Sequence, residues 1–461
     1  MHDSQAKKVL IVGGGLAGSE AAWQLAERGL QVLLVEMRPK RMTAAHHSAD
    51  LAELVCSNSL KSLALPQAAA TLKYELAQMG SYLLKLALDN RVPAGMALAV
   101  ERQAFAQAVS RELAAHANIE LIQAEVESLS PYLSAPEFGQ IIIATGPLTS
   151  DALAGELSGL LGGDYLSFYD AAAPIIEADS LDMSQLVSQA RFDKGEGKYL
   201  NALLSKEQYL QLVDSLVQAD RVILKDFEKR ELFSACQPIE EVARSGTDAL
   251  RYGALKPIGL VDPKTGRRPY AAIQLRAEDK EQSAWNLVGF QTNLTFSAQA
   301  QVLRQIPGLE QASFSRYGVM HRNTFINAPV SLGAGFELPA NPKLRFAGQI
   351  TGTEGYTEAI ASGLLAALNC YAALNGRPQC VLPAESTFGA LVAYATNRDT
   401  QPYQPMHVNY GLMPALAEPI KTKRERHQAY SRRAIAAVAR WQKENPQLDF
   451  LAPYELPDLA E

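Results

Sequence analysis

Short apolar runs that end in glycine recur along this chain and set its architecture. Residues 8–12 form one such run, which gives way to three glycines. Residues 19–27 then carry a helical spacing of apolar positions, Gly29 breaks it, and a second apolar run covers 32–35. Strand, turn, helix, turn and strand in that order open a doubly wound sheet, because a strand buried on both faces reads as an unbroken apolar run. Residues 141–143 repeat the strand pattern and close in Ala144-Thr145-Gly146-Pro147, after which Thr149, Ser150 and Asp151 can cap a helix. Much later, 344–348 is again a strand running into glycine, followed by a helical pattern over 356–369.

Between roughly 180 and 330 the texture changes to short strands, turns and helices, with a turn cluster at 261–266 and strands predicted over 271–275 and 285–290. The predicted fold class is therefore α/β: a Rossmann-like, doubly wound domain that is discontinuous in sequence, with an inserted α+β domain. Its first part is expected over 1–180, the insertion over 181–330, and its second part, with a basic C-terminal segment, over 331–461.

The first glycine turn carries chemistry. Gly13-Gly14-Gly15-Leu16-Ala17-Gly18 fits G-x-G-x-x-G. Gly13 permits the tight turn, Gly15 lets the backbone approach a phosphate, and Gly18 lets helix and strand pack closely. The helix start then offers free N–H groups and a positive dipole end to a pyrophosphate. The second strand ends in Glu36, near the spacing at which a carboxylate accepts hydrogen bonds from ribose hydroxyls. The further glycine strand ends at Gly146 and Gly348 favour FAD over NAD. FAD is long, and Gly348-Gln349-Ile350-Thr351-Gly352 before a helix places another helix start where the flavin would lie.

Composition narrows the setting. The 461 residues are 48% hydrophobic, ample for a sizeable core, and the formal charge is −6, so RNA contact needs a local basic patch. Four cysteines are too few for a disulfide scaffold and read as free thiols in a reducing cytosol. The start, MHDSQAKK, has no apolar signal region, and no run of about 20 apolar residues is seen to span a bilayer, so a cytoplasmic location is expected. Lys421, Lys423, Arg424, Arg426, Arg432, Arg433, Arg440 and Lys443 crowd one stretch opposed by Glu425 alone. Such a cluster either binds RNA phosphates or is a solvated helix face. Arg38, Lys40 and Arg41 are expected to border the cofactor or the substrate entrance. No metal-ligand cluster is present in the sequence, so no metal is expected.

Several stretches resemble one family. These are residues 13–41, Glu53-Leu54-Val55-Cys56-Ser57-Asn58-Ser59-Leu60, Arg91-Val92-Pro93-Ala94-Gly95, Ala144-Thr145-Gly146-Pro147-Leu148-Thr149-Ser150, Lys256-Pro257-Ile258-Gly259-Leu260-Val261-Asp262-Pro263, Tyr317-Gly318-Val319-Met320-His321-Arg322-Asn323-Thr324 and Gly348-Gln349-Ile350-Thr351-Gly352. The family is that of the folate- and FAD-dependent tRNA (uracil-C5)-methyltransferases, the TrmFO family. The resemblance implies that 5,10-methylenetetrahydrofolate donates a carbon to C5 of a T-loop uridine in the tRNA T-arm. Reduced FAD then supplies the reducing equivalents and NADH or NADPH regenerates it.

Uracil C5 is a poor nucleophile until a thiolate adds at C6, which is covalent catalysis. Cys236 and Cys56 are both plausible for this, and the residues by themselves do not separate them. By the resemblance, Cys236 attacks C6 and Cys56 sits near the flavin and assists proton removal at C5. Cys370 and Cys380 fall in no family motif and read as structural. The resemblance also assigns His321 to stacking on the folate pterin and Tyr356 to a place near the flavin. Phe296 stands where the family often has tryptophan, and 65–73 lacks the family's usual Asn and Gly, which bears on substrate details. Competing readings are the same chemistry on a ribosomal RNA uridine, a plain flavin oxidoreductase acting on a small molecule, and a non-catalytic RNA-binding protein. The related flavin enzymes that modify wobble uridines fit less well.

Overall fold

The apolar runs become the strands of a six-stranded sheet. Its order is Glu337–Leu338, Asn341–Phe346, Phe138–Ile143, Lys8–Val12, Val32–Glu36 and Ile119–Gln123. All neighbours pair in parallel except the Glu337–Leu338 edge. Val9–Val12 and Ile141–Ile143 are buried on both faces, which is why these segments lack polar alternation. The structure, a computed structural model, describes residues 8–43, 45–163, 165–171, 173–193, 199–222, 237–318 and 320–457; for 165–171, 193 and 320–322 only the backbone is described.

Two long-separated helices cover one face of this sheet. Leu16–Glu27 packs against Tyr356–Leu374. Their close approach is licensed at Gly363, where a Cβ would lie 2.1 Å from the Ala17 carbonyl oxygen. Tyr356–Leu374 is long and apolar enough by composition to cross a membrane, so an apolar stretch of that length does exist. Its most apolar window is 78% buried inside the fold, as befits a core helix. Buried glutamates tie other helices down. Glu20 accepts from the Leu83 N–H at 2.8 Å at the start of Tyr82–Asp89, and Glu75 accepts from the Thr387 N–H at 2.7 Å at the start of Thr387–Thr396. A carboxylate so placed satisfies N–H groups that have no partner within the helix.

A second six-stranded sheet has the order Leu186–Gln189, Tyr199–Leu204, Ala271–Ala277, Ala284–Leu287, Ile175–Glu177 and Phe314–Arg316, and its pairs are antiparallel. It has its own core, in which Tyr209 and Leu212 of helix Lys206–Gln218 meet Ile273, Leu275 and Trp285. A two-stranded ladder, Tyr165–Ala171 with Met320–Ile326, belongs to neither sheet. The fold is thus α/β, a Rossmann-like sheet whose strands flank an α+β unit in sequence.

Boundaries shift from the sequence reading in physical ways. The first helix begins at Leu16, not at residue 19, because Gly15 already serves as its N-cap. The strand expected over 285–290 ends at Leu287, and Gly289, at φ +81°, turns the chain away.

Candidate active site

The glycines of the first turn and helix start do different jobs. Gly13 has φ +103°, and a Cβ there would sit 2.5 Å from the Ala144 carbonyl oxygen. A Cβ on Gly18 would lie 1.9 Å from the Gly13 oxygen. These two are demanded by packing between turn, helix and strand. The Gly14 N–H donates to Glu36 Oε2 at 2.7 Å. At Gly15 a Cβ would meet nothing within 4 Å. Its absence therefore serves a space outside the protein's own packing, directly at a helix start that no side chain caps. Open room, uncapped first-turn N–H groups and a positive dipole end fit a pyrophosphate.

Glu36 is buried and heavily engaged. Oε2 accepts from Gly14, and Oε1 accepts from the Arg38 backbone N–H at 3.0 Å and from Arg38 Nε at 2.9 Å. A carboxylate has about four lone-pair sites, so one on Oε2 is left for a ribose hydroxyl. Burial pulls its pKa up, but the Arg38 charge and these hydrogen bonds outweigh burial and hold it below the usual 4.5. Arg38 passes the charge on to Glu53 Oε2 at 3.3 Å. Arg38, expected to border the cofactor or the substrate entrance, lines the cavity and is held there by this buried ion pair.

That cavity has a volume of about 440 Å³. Gly13, Gly15, Leu16, Ala17, Glu36, Gly146, Gly348, Gln349, Cys56 and Tyr356 all line it. Gly146, at φ +64°, opens a short 3-10 turn at the end of its strand, and Gly348, at φ +83°, brings its turn against Ala17. Gln349 Nε2 donates to Glu354 at 2.6 Å. The lining also includes Lys61, His46 and His407, which the sequence reading did not single out. Lys61 pairs with Glu358 at 3.5 Å and has φ +65°; it directly follows a quoted motif, which was the available signal.

At one end of the cavity sits a thiol–phenol pair. Tyr356 Oη accepts the Cys56 N–H at 2.8 Å and the Ser57 N–H at 3.2 Å, and lies 2.9 Å from Cys56 Sγ. With two donors already on its oxygen, the phenol is left to donate its own proton to the sulfur. Burial, then the neighbouring Cys56, push the phenol well above its ordinary pKa, so it stays protonated as a donor. The loop that carries Cys56 is pinned from the second sheet. Arg276 Nε donates to Asn58 Oδ1 at 2.7 Å, and Asn58 Nδ2 returns a bond to the Ala277 carbonyl at 2.9 Å. Arg102 joins Glu278 at 3.1 Å to the Leu54 carbonyl at 2.7 Å.

Tyr356→Phe should raise the pH at which Cys56 becomes reactive, because the thiolate loses its O–H donor. The substitution also removes the oxygen that accepts the Cys56 and Ser57 N–H groups, a cost of roughly 1–3 kcal/mol in stability. Alkylation by iodoacetamide, followed on the Cys56 peptide across pH, checks this; an unchanged profile removes the phenol from the thiol's control.

Other predicted positions fall elsewhere. Cys236 lies outside the described residues. His321 stands opposite Asp170 in the two-stranded ladder, and its side chain is outside the description, whereas Asn323, two positions on, is buried and lines the cavity. Cys370 and Cys380 are buried, and burial pushes both thiols up to about 12, which makes them inert. Lys421, Lys423 and Arg424 are exposed at the start of helix Lys423–Glu444, while Arg426 donates to the Ile420 carbonyl at 3.3 Å. None of these four lines the cavity. Among the described residues no group of three His, Cys, Asp or Glu side chains converges as metal ligands do.

Comparison with known proteins places this geometry. A family model described as glucose inhibited division protein A matches residues 8–378. A protein of Heliobacterium modesticaldum named methylenetetrahydrofolate--tRNA-(uracil-5-)-methyltransferase TrmFO is 48% identical over 437 residues, covering 95% of this chain and 98% of its own. One of the same name from Pelobacter propionicus is 50% identical over 433 residues, covering 94% of each. Among solved structures, Aquifex aeolicus GidA in its form I crystal superposes with a TM-score of 0.68 at 16% identity, over 96% of this chain and 76% of that one, which speaks to fold alone.

Proposed function

The chain belongs to the glucose inhibited division protein A family, and from that premise we propose that it is a folate- and FAD-dependent tRNA (uracil-5-)-methyltransferase acting on the T-loop uridine. The observation that carries this reading is one cavity that joins a dinucleotide cradle to a hydrogen-bonded thiol.

The uncapped helix start beside Gly15 would hold the cofactor's pyrophosphate, and Glu36 would take a ribose hydroxyl. Gly146, Gly348, Gln349 and Tyr356, which line the same cavity, would flank the flavin end. Bound there, FAD supplies the reducing equivalents that convert a transferred methylene to a methyl group, and NADH or NADPH restores it. The methylene donor is 5,10-methylenetetrahydrofolate, which His321 is assigned to stack upon. Cys236 attacks uracil C6 as a thiolate, so that C5 becomes nucleophilic. Cys56 accepts the C5 proton, with Tyr356 setting the sulfur's readiness by its O–H bond. The enzyme works in the cytoplasm, where its tRNA is.

Incubating the protein with unmodified tRNA, methylenetetrahydrofolate and NADH or NADPH should give 5-methyluridine in the T-loop, and none when folate is omitted. Nicotinamide oxidation without methylation of any RNA would replace this reading with a plain oxidoreductase. Methylation confined to ribosomal RNA would move the substrate and keep the chemistry.

A further inference from the structure

The motif Lys256-Pro257-Ile258-Gly259-Leu260-Val261-Asp262-Pro263 and the turn after it have no part in the cavity. In a chain of net charge −6, residues 251–275 hold five cations, Arg251, Lys256, Lys264, Arg267 and Arg268, against one acid, Asp262. That acid is consumed by the turn itself. Asp262 Oδ1 accepts the Lys264 N–H and Oδ2 accepts the Thr265 hydroxyl, each at 2.9 Å. Lys256, Lys264, Arg267 and Arg268 are exposed, and among the described residues none forms an ion pair.

Exposed apolar side chains are set among these charges. Tyr252 is 78% exposed and Phe192 64%, with Ile258 and Val261 also exposed. Phe192 is held there against its backbone preference, at φ +60°. A non-glycine residue in that region costs free energy and persists where the surroundings impose it. Here the Phe192 N–H donates to the Gly259 carbonyl at 2.8 Å, and Arg191 donates to the carbonyls of Lys256 at 2.8 Å and Ile258 at 2.6 Å. Gly259 is glycine because a Cβ would lie 2.8 Å from the Phe192 ring. Both segments are thus fixed to present an aromatic face beside cations that form no ion pair among the described residues.

Exposed cations interleaved with exposed aromatic rings match phosphates and unstacked bases. We propose that the surface formed by 251–268 with Phe192 is a docking surface for RNA. This rests on the tRNA methyltransferase reading and locates its substrate's grip. The surface is continuous with the site, because the turn leads directly into strand Ala271–Ala277, whose Arg276 bonds the loop of Cys56. Arg268 and Arg276 lie eight residues apart, roughly 25 Å at the rise of a strand.

The test uses the full-length flavoprotein and an unmodified tRNA transcript, with binding measured across salt concentrations. Lys264→Gln, Arg267→Gln and Arg268→Gln combined should weaken binding about ten- to a hundredfold near 0.1 M salt and flatten the slope of log affinity against log salt by about 2 to 3. Turnover at saturating tRNA should stay at the parent level. The charge-keeping triple Lys264→Arg, Arg267→Lys, Arg268→Lys should bind like the parent. An unchanged affinity and slope in the glutamine triple, with the parent still methylating tRNA, overturns the surface and leaves the enzyme reading intact. Equal weakening in the charge-keeping triple also overturns it, as loop shape would then be the cause. A parent protein that binds no tRNA sinks both.

Discussion

Gly15→Val should give a folded protein without its yellow colour. A Cβ at Gly15 meets no atom within 4 Å, and the backbone there, φ −72° and ψ −171°, is extended conformation that valine adopts readily. The added Cβ therefore meets none of the protein's own packing, and the side chain grows into the space beside the helix start. Gly18→Ala makes the contrast. Its Cβ would be driven to 1.9 Å from the Gly13 oxygen, so helix and strand must separate and the fold itself should weaken. Flavin absorption and thermal melting, compared with flavin-stripped parent protein, distinguish the two. The stripped parent is the proper reference because a ligand at a hundred times its Kd adds about 2.7 kcal/mol to apparent stability. A Gly15→Val protein that kept full flavin would put the pyrophosphate elsewhere.

Cys236→Ala should end methyl transfer while leaving flavin reduction by NADH or NADPH intact. Removing a covalent nucleophile costs on the order of 10⁴-fold or more in rate. Hydride transfer to the flavin does not use that thiol, so the two activities should part. An ordinary thiol near pKa 8.5 is only a few per cent ionised at pH 7, so positive charge nearby or bound RNA must favour the thiolate. A tRNA containing 5-fluorouridine should trap a covalent adduct on the parent protein, since fluorine cannot leave C5 as a proton does. Peptide mapping should find it on Cys236. An adduct on the Cys56 peptide alone, with Cys236→Ala still active, would exchange the roles of the two thiols.

The parallel sheet was readable because its strands are buried on both faces and end in glycine, a pattern that local physics imposes on residues 8–12, 141–143 and 344–348. The distinct jobs of Gly13, Gly15 and Gly18 follow from a fixed motif spacing. What local pattern could not supply was anything made by distant segments meeting. The bond between Tyr356 and Cys56 joins residues 300 apart, and the Arg276–Asn58 bond joins residues 218 apart. Neither leaves a periodic trace. The C-terminal basic run shows a second kind of loss. Charge alone cannot reveal that Arg426 bonds the Ile420 carbonyl and that Arg433 bonds the Pro414 and Ala415 carbonyls. Lys61 was hidden because a lysine after a recognised motif has no preferred role until its partner, Glu358, is seen.

The order in which this chain leaves the ribosome differs from the order in which its first sheet is assembled. Lys8–Val12, Val32–Glu36, Ile119–Gln123 and Phe138–Ile143 are all made before any strand of the second sheet, but Phe138–Ile143, paired on one side with Lys8–Val12, takes Asn341–Phe346 on the other. Until that strand arrives, a long apolar edge stands open, and the helix Leu16–Glu27 lacks the Tyr356–Leu374 helix that covers it. Pairings between such distant segments form slowly, and an unpaired apolar edge invites association with other chains. The nascent chain therefore passes through a stage in which a chaperone has an obvious place to bind. Because residues 348–359 and His407 belong to the cavity wall, flavin capture is also a late event. A molecule that carries the yellow cofactor is one whose synthesis has passed the last strand, so colour reports completion of the first sheet as well as occupancy of the site.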